Sequence, residues 1–125
     1  MSKPLLEIQH ISKFFPGVKA LQDISFSVDK AEIHALIGEN GAGKSTLIKV
    51  LSGINKPESG GTIAMNGHRL DNLTPIQSLK EGIVVIYQDF SLFPNLSVME
   101  NIALGLCVKK NEKIINWKEM AKIAE

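Results

Sequence analysis

Nine residues, GENGAGKST at 38–46, stand between an apolar run, EIHALI at 32–37, and a segment in which Leu47, Val50, Leu51 and Ile54 fall at i, i+3, i+4 and i+7. That spacing predicts one face of a helix, closed by Gly53 and Pro57. EIHALI becomes apolar on both faces toward its end, as a strand covered on both sides does. The predicted order is therefore strand, glycine loop, helix. Three glycines, Gly38, Gly41 and Gly43, suit a backbone that wraps closely around something just before a helix begins.

Gly38, Gly43, Lys44 and Ser45 satisfy the pattern GxxxxGK[ST], and the flanking strand and helix supply the context it requires. Backbone N–H groups from about Asn40 through Gly41, Ala42, Gly43 and Lys44 to Thr46 can then point at phosphate oxygens, aided by the positive end of the helix dipole. Lys44 would bridge the β- and γ-phosphates, Ser45 would offer its hydroxyl to Mg²⁺, and Thr46 would bond an α- or β-phosphate oxygen. A glycine-rich turn with a solvated lysine is the bland alternative; four fixed positions with the right flanks weigh against it. Taken alone, the loop suits small-molecule kinases, GTPases, helicases and transport ATPases equally.

Elsewhere, LLEIQHI (5–11) and ISFSV (24–28) alternate apolar and polar residues, which predicts two antiparallel strands of a small outer sheet joined through a turn at FPGV (15–18). ESGGTIAMNGHRL (58–70) reads as a hairpin turning at Asn66-Gly67. Thr74-Pro75-Ile76-Gln77 offers an N-cap, a proline at the first helical position and a glutamine at N3, so a short helix is expected from there to Gly82. GIVVIYQ (82–88) reads as a second buried strand. Ser97 with Glu100 repeats the capping pattern before NIALGL, and Asn116 with Glu119 opens a last helix through KEMAKIAE.

With 125 residues, 44% of them hydrophobic, the chain can bury one core. Its 14 basic and 13 acidic residues leave a formal charge of +1, which gives no reason to propose nucleic acid as a partner. One cysteine, Cys107, excludes an internal disulfide and fits a reducing compartment. Glu7, Gln9 and His10 interrupt the N-terminal segment, so no signal-peptide apolar region forms, and no stretch approaches the ~18 apolar residues of a spanning helix. A soluble, cytoplasmic chain is expected, reaching a membrane only through another protein.

The segment from Ile11 to Gly67, ISKFFPGVKALQDISFSVDKAEIHALIGENGAGKSTLIKVLSGINKPESGGTIAMNG, closely resembles the ATP-binding cassette family. FPGVKAL (15–21) and LFPNLSVMENI (92–102) are similar to its sugar-importer branch, in which two cassettes are fused in one polypeptide. The resemblance extends to about Leu106. It implies an α/β fold: a P-loop NTPase core with a partly parallel sheet and a small antiparallel β subdomain over 1–95, and the start of a helical subdomain over 96–125. It implies ATP and Mg²⁺ as ligands. Phe15 matches the aromatic that stacks on adenine, with Phe14 the weaker candidate; extended, the two point to opposite faces, so one of them is expected in the core. Gln88 matches the catalytic glutamine that reaches Mg²⁺ and the attacking water. Asp89 stands where the branch usually has Glu, a one-methylene difference at a loop that senses the membrane partner.

The implied partners are transmembrane permease subunits, a second cassette, fused or dimeric, and indirectly a periplasmic or extracellular solute-binding protein. The implied location is the inner face of the cell membrane. The family's LSGGQ signature, its Walker B Asp, its catalytic Glu and its switch His do not occur. Leu51-Ser52-Gly53 and Ser59-Gly60-Gly61 only superficially resemble the signature, and Asp89 follows IVVI too late to be the Walker B acid. His10, His34 and His68 all precede the region of a switch His. The expectation is the N-terminal portion of a longer ATPase, cut inside the helical subdomain, that binds Mg-ATP without hydrolysing it. The alternatives are a nucleotide-binding module without turnover and a soluble, non-transport member of the family. Cys107 and Trp117 carry no assigned chemistry.

Overall fold

The computed structural model describes residues 3–86, 92–110 and 116–124, and of 105–110 the backbone alone. The chain divides into two compact units, residues 1–83 and 84–125. In the first, β1 (Leu6–Phe15) and β2 (Val18–Val28) form the expected antiparallel hairpin, closed by Phe15 opposite Val18 around a turn in which Gly17 takes φ 74°. Both strands carry a residue with left-handed backbone, His10 at φ 54° and Asp23 at φ 53°, where the register shifts. Ser25 Oγ accepts the His10 N–H at 2.8 Å and Ser12 Oγ accepts the Asp23 N–H at 3.0 Å, so two amides at the irregularity bond to side chains. The extra residue on each strand has a packing consequence. Ile8 and Ile11, three apart, both enter the core, and so does Leu21, with Ile24, again three apart, packed against it.

β3 (Thr62–Met65) pairs antiparallel with the other edge of β1, and β4 (His68–Arg69) follows through Asn66 and Gly67 at φ 51° and 78°. Positive φ at both central positions is what a type I′ hairpin turn requires. The sheet order is β2-β1-β3-β4. Helix α1 (Lys44–Leu51) lays Leu47, Val50 and Leu51 against Ile8, Ile11, Leu21 and Ile63 to make the buried core. Ile54, expected on the same face, lies beyond the helix end and is exposed. Helix α2 (Pro75–Lys80) starts with the predicted capping box, Gln77 N–H to Thr74 Oγ1 at 3.3 Å and Thr74 N–H to Gln77 Oε1 at 3.1 Å. Its buried Ser78 donates to the Leu51 carbonyl at 2.9 Å, satisfying one of the acceptors that a helix C-terminus leaves open.

In the second unit, α3 (Val98–Lys110) opens on the predicted Ser97–Glu100 box, with Ser97 N–H to Glu100 Oε2 at 2.7 Å. Asn101 ties down the preceding loop, accepting the Phe93 N–H at 2.8 Å and donating to the Leu96 carbonyl at 3.1 Å. Helix α4 (Trp117–Ala124) begins with Asn116 Oδ1 accepting the Glu119 N–H at 3.3 Å and packs on α3; Ala103 and Met120 are buried.

Two expectations fail on the described residues. The segments predicted as buried strands, 32–37 and 82–88, are not strands where described; Ile33 and Ile37 are 98% and 90% exposed, and Ile86 is exposed as well. A strand apolar on both faces is stable only with hydrogen-bonded neighbours and covering layers, and no described strand pairs with either segment. The sheet that is described is wholly antiparallel. Nor does the core take one of the two phenylalanines: Phe14 is 43% and Phe15 41% exposed, because both lie at the hairpin tip beyond Leu21, the last core residue of β2 on that side.

Candidate phosphate-binding site

The loop at 38–46 sits at the N-terminus of α1. Gly43, the N-cap, has φ 88° and ψ 0°, and no side chain caps the helix. The first ladder bond runs from Leu47 N–H to the Gly43 carbonyl at 2.9 Å, so the N–H groups of Lys44, Ser45 and Thr46 precede the ladder. The first turn carries no acidic residue. Lys44 folds back over the loop, its Nζ donating to the carbonyls of Gly38 and, at 2.7 Å, Glu39. Ala42 N–H closes a turn onto the Glu39 carbonyl at 3.2 Å, and Gly41 adopts φ 87°. One lysine and an array of uncapped amides thus converge on a loop with a left-handed glycine at each bend, which is the donor set an oligophosphate needs.

Two contacts show how closely the loop packs at its glycines, and Gly43 is the position that demands one. A Cβ on Gly43 would stand 2.2 Å from the Ala20 carbonyl oxygen and 3.0 Å from Leu21 Cδ2, so the loop lies directly on the backbone of β2. A Cβ on Gly38 would come within 3.2 Å of Ala42 Cβ. Asn40 and Ser45 are exposed and Thr46 is half-buried. Among the described residues no cluster of three His, Cys, Asp or Glu could hold a metal ion. Among the described residues, Ser45 Oγ is the side-chain oxygen that a Mg²⁺ here would take, alongside phosphate and water oxygens, all hard oxygen ligands that suit this ion.

Phe15 enters from the hairpin tip. Its partner Val18 lies two residues before Ala20, the residue beneath Gly43, a distance of about 7 Å along β2 at roughly 3.3 Å per residue. The aromatic end of the hairpin and the phosphate loop are thereby held on one strand. Lys13 Nζ lies over the Phe15 ring, 5.5 Å from its centroid. Gln88 and Asp89 lie outside the described residues. Reasoning from sequence missed Glu58. Its carboxylate accepts the Phe14 N–H at 3.2 Å and pairs with Lys13 Nζ at 3.3 Å across 45 residues of chain, and no local pattern announces it. The Phe14 amide, first, and Lys13 hold the Glu58 carboxyl below the usual carboxylate range.

Neither His10 nor His34 joins the loop: His10 Nδ1 meets Asp23 Oδ1 at 2.7 Å, and His34 pairs with Glu32 while stacking on Phe26 at 5.3 Å. The profile of the ABC transporter family matches residues 21–125, which includes the whole loop and α1.

The chain belongs to the ABC transporter family. Among proteins similar to this ABC transporter chain, the ribose import ATP-binding protein RbsA 1 of Burkholderia ambifaria is 48% identical over 90% of it, and the arabinose import ATP-binding protein AraG of Chromohalobacter salexigens is 52% identical over 84%. The chain spans about a fifth of the length of these relatives, 22% and 21%. A crystal structure of a nucleotide-free ATP-binding cassette from an ABC transporter superposes with a TM-score of 0.77 at 29% identity, covering 96% of this chain and 51% of its own. The fold is that of an ABC ATPase cassette.

Proposed function

We propose that this chain holds the triphosphate of ATP with Mg²⁺ on the loop 38–46 and forms the nucleotide-binding part of an importer for a sugar or a similar small solute. The observation that carries the reading is Lys44, whose ammonium folds over a glycine loop with uncapped amides at the start of α1. In this reading Gly38, Asn40, Gly41, Ala42 and Gly43 wrap the phosphates, Lys44 neutralises the β- and γ-oxygens, Ser45 reaches Mg²⁺ and Thr46 binds an α- or β-oxygen. Phe15 stacks on adenine, and Gln88 contributes to the Mg²⁺ and water side. Mg²⁺, when bound, neutralises phosphate charge.

Sugar import rests on the names of the relatives, which are ribose and arabinose import ATP-binding proteins. Among the described residues no helix is long and apolar enough to cross a membrane. Import would therefore require transmembrane permease subunits, a second cassette and a solute-binding protein outside the cell, with this chain on the cytoplasmic face. The sequence of residues 1–125 contains no LSGGQ motif and no apolar run followed at once by Asp-Glu. We therefore propose that these residues alone bind Mg-ATP without turning it over. Titration of the chain and of Lys44→Ala with Mg-ATP tests the core of this reading.

A further inference from the structure

β1 continues to Phe15, whereas its pairing with β3 stops at Gln9 opposite Thr62, so among the described residues the edge of β1 from Ser12 to Phe14 faces no strand. Glu58 occupies that edge. Its N–H donates to the Ser12 carbonyl at 2.9 Å, and its carboxylate accepts the Phe14 N–H at 3.2 Å and the Lys13 ammonium at 3.3 Å. The same ammonium lies 5.5 Å above the Phe15 ring, within cation–π range. Glu58 therefore fixes the backbone on one side of Phe15 and, through Lys13, one face of the ring.

We propose that Glu58 is a positioning residue for nucleobase binding: it holds Phe15 with Lys13 on one face of the ring, leaving the opposite face for a planar base. This rests on the reading of Phe15 as the base platform. Glu58 belongs to the loop that follows α1, so the helix whose N-terminus carries the phosphate loop carries past its C-terminus the clamp of the base end. Both ends of one nucleotide are thereby referred to one helix. Truncating Glu58 leaves the Phe14 amide without its partner and frees Lys13 to solvent, so the ring loses its fixed orientation while the phosphate loop keeps every contact described above.

The test compares affinities of the full chain for ATP and for inorganic tripolyphosphate, which has no base, both with Mg²⁺. Glu58→Ala is expected to lower the ratio of ATP to tripolyphosphate affinity by roughly threefold to tenfold, the scale of an oriented aromatic contact. Phe15→Ala is expected to lower it by roughly tenfold. In the double variant the ratio should equal that of Phe15→Ala, because Glu58 acts only through the ring; a merely structural role would weaken both ligands or add to the Phe15 loss. An unchanged ratio in Glu58→Ala, with a fall in Phe15→Ala, overturns this inference and leaves the platform reading standing. An unchanged ratio in Phe15→Ala overturns both. If circular dichroism shows that Glu58→Ala does not fold, Glu58→Gln keeps an acceptor for the Phe14 amide and removes the charge facing Lys13; a smaller fall in the ratio is expected, and no fall overturns the inference.

Discussion

The two ends of the candidate site are built on different principles. At the phosphate end the donors are backbone amides, set by left-handed glycines and pressed on β2 so closely that a single methyl at Gly43 would collide with the Ala20 carbonyl at 2.2 Å. At the base end the elements are side chains: Phe15 is partly exposed, oriented by Lys13 and by a carboxylate that arrives from 45 residues away. A backbone site tolerates little change and grips any oligophosphate. The side-chain site is adjustable and, in the proposed reading, separates ligands that carry a base from those that do not. The difference predicts that damage to the first should be severe and indifferent to the base, whereas damage to the second should be moderate and confined to ligands that carry one.

The largest effect is expected from Gly43→Ala, which combines a steric clash with a left-handed φ unfavourable to alanine. It should weaken ATP and tripolyphosphate alike, by roughly tenfold to a hundredfold, measured by calorimetry on folded protein; a selective loss of ATP would erase the distinction between the ends. Ser78→Ala probes what anchors α1 at its far end. It leaves the Leu51 carbonyl without its buried donor and should lower the unfolding free energy by about 1–3 kcal/mol in urea titrations, while an unchanged midpoint would show that water replaces the bond. The smallest effect concerns acid. Because the Phe14 amide and Lys13 lower the folded pKa of Glu58, its stabilisation is present above the unfolded carboxyl pKa of about 4.3 and disappears as pH falls through the lower folded value. The stability gap between the chain and Glu58→Gln should therefore stay constant above about pH 4.3 and close below it; a gap that closes nearer neutrality would contradict the assignment.

The same contrast separates what could be read in the sequence from what could not. The phosphate loop was legible because its chemistry is contiguous: Gly38, Gly43, Lys44 and Ser45 fall in one run beside a helical period. The capping boxes at Thr74 and Ser97 and the turn at Asn66-Gly67 were legible for the same reason, as each is a bond or a φ within a few residues. Phe15 came only from resemblance. Glu58 escaped because its partners are set by the fold rather than by neighbours in sequence. The paired bulges at His10 and Asp23 escaped too, since simple alternation places Ile11 out of phase with Ile8 until an extra residue turns it inward. The segments at 32–37 and, over the described residues, 82–86 were misjudged in the opposite direction. Their apolar residues state a preference for a covered strand, but a strand exists only with its ladder, whereas β1 and β2 bring their own partners in one hairpin.

The central claim is that the loop grips phosphate through its one lysine. Isothermal titration of the chain and of Lys44→Ala with Mg-ATP tests it most directly, because the variant removes the ammonium that bridges the Gly38 and Glu39 carbonyls. Loss of charge-assisted bonds of this kind should weaken binding by about tenfold or more. Equal affinity in the two proteins would contradict the account.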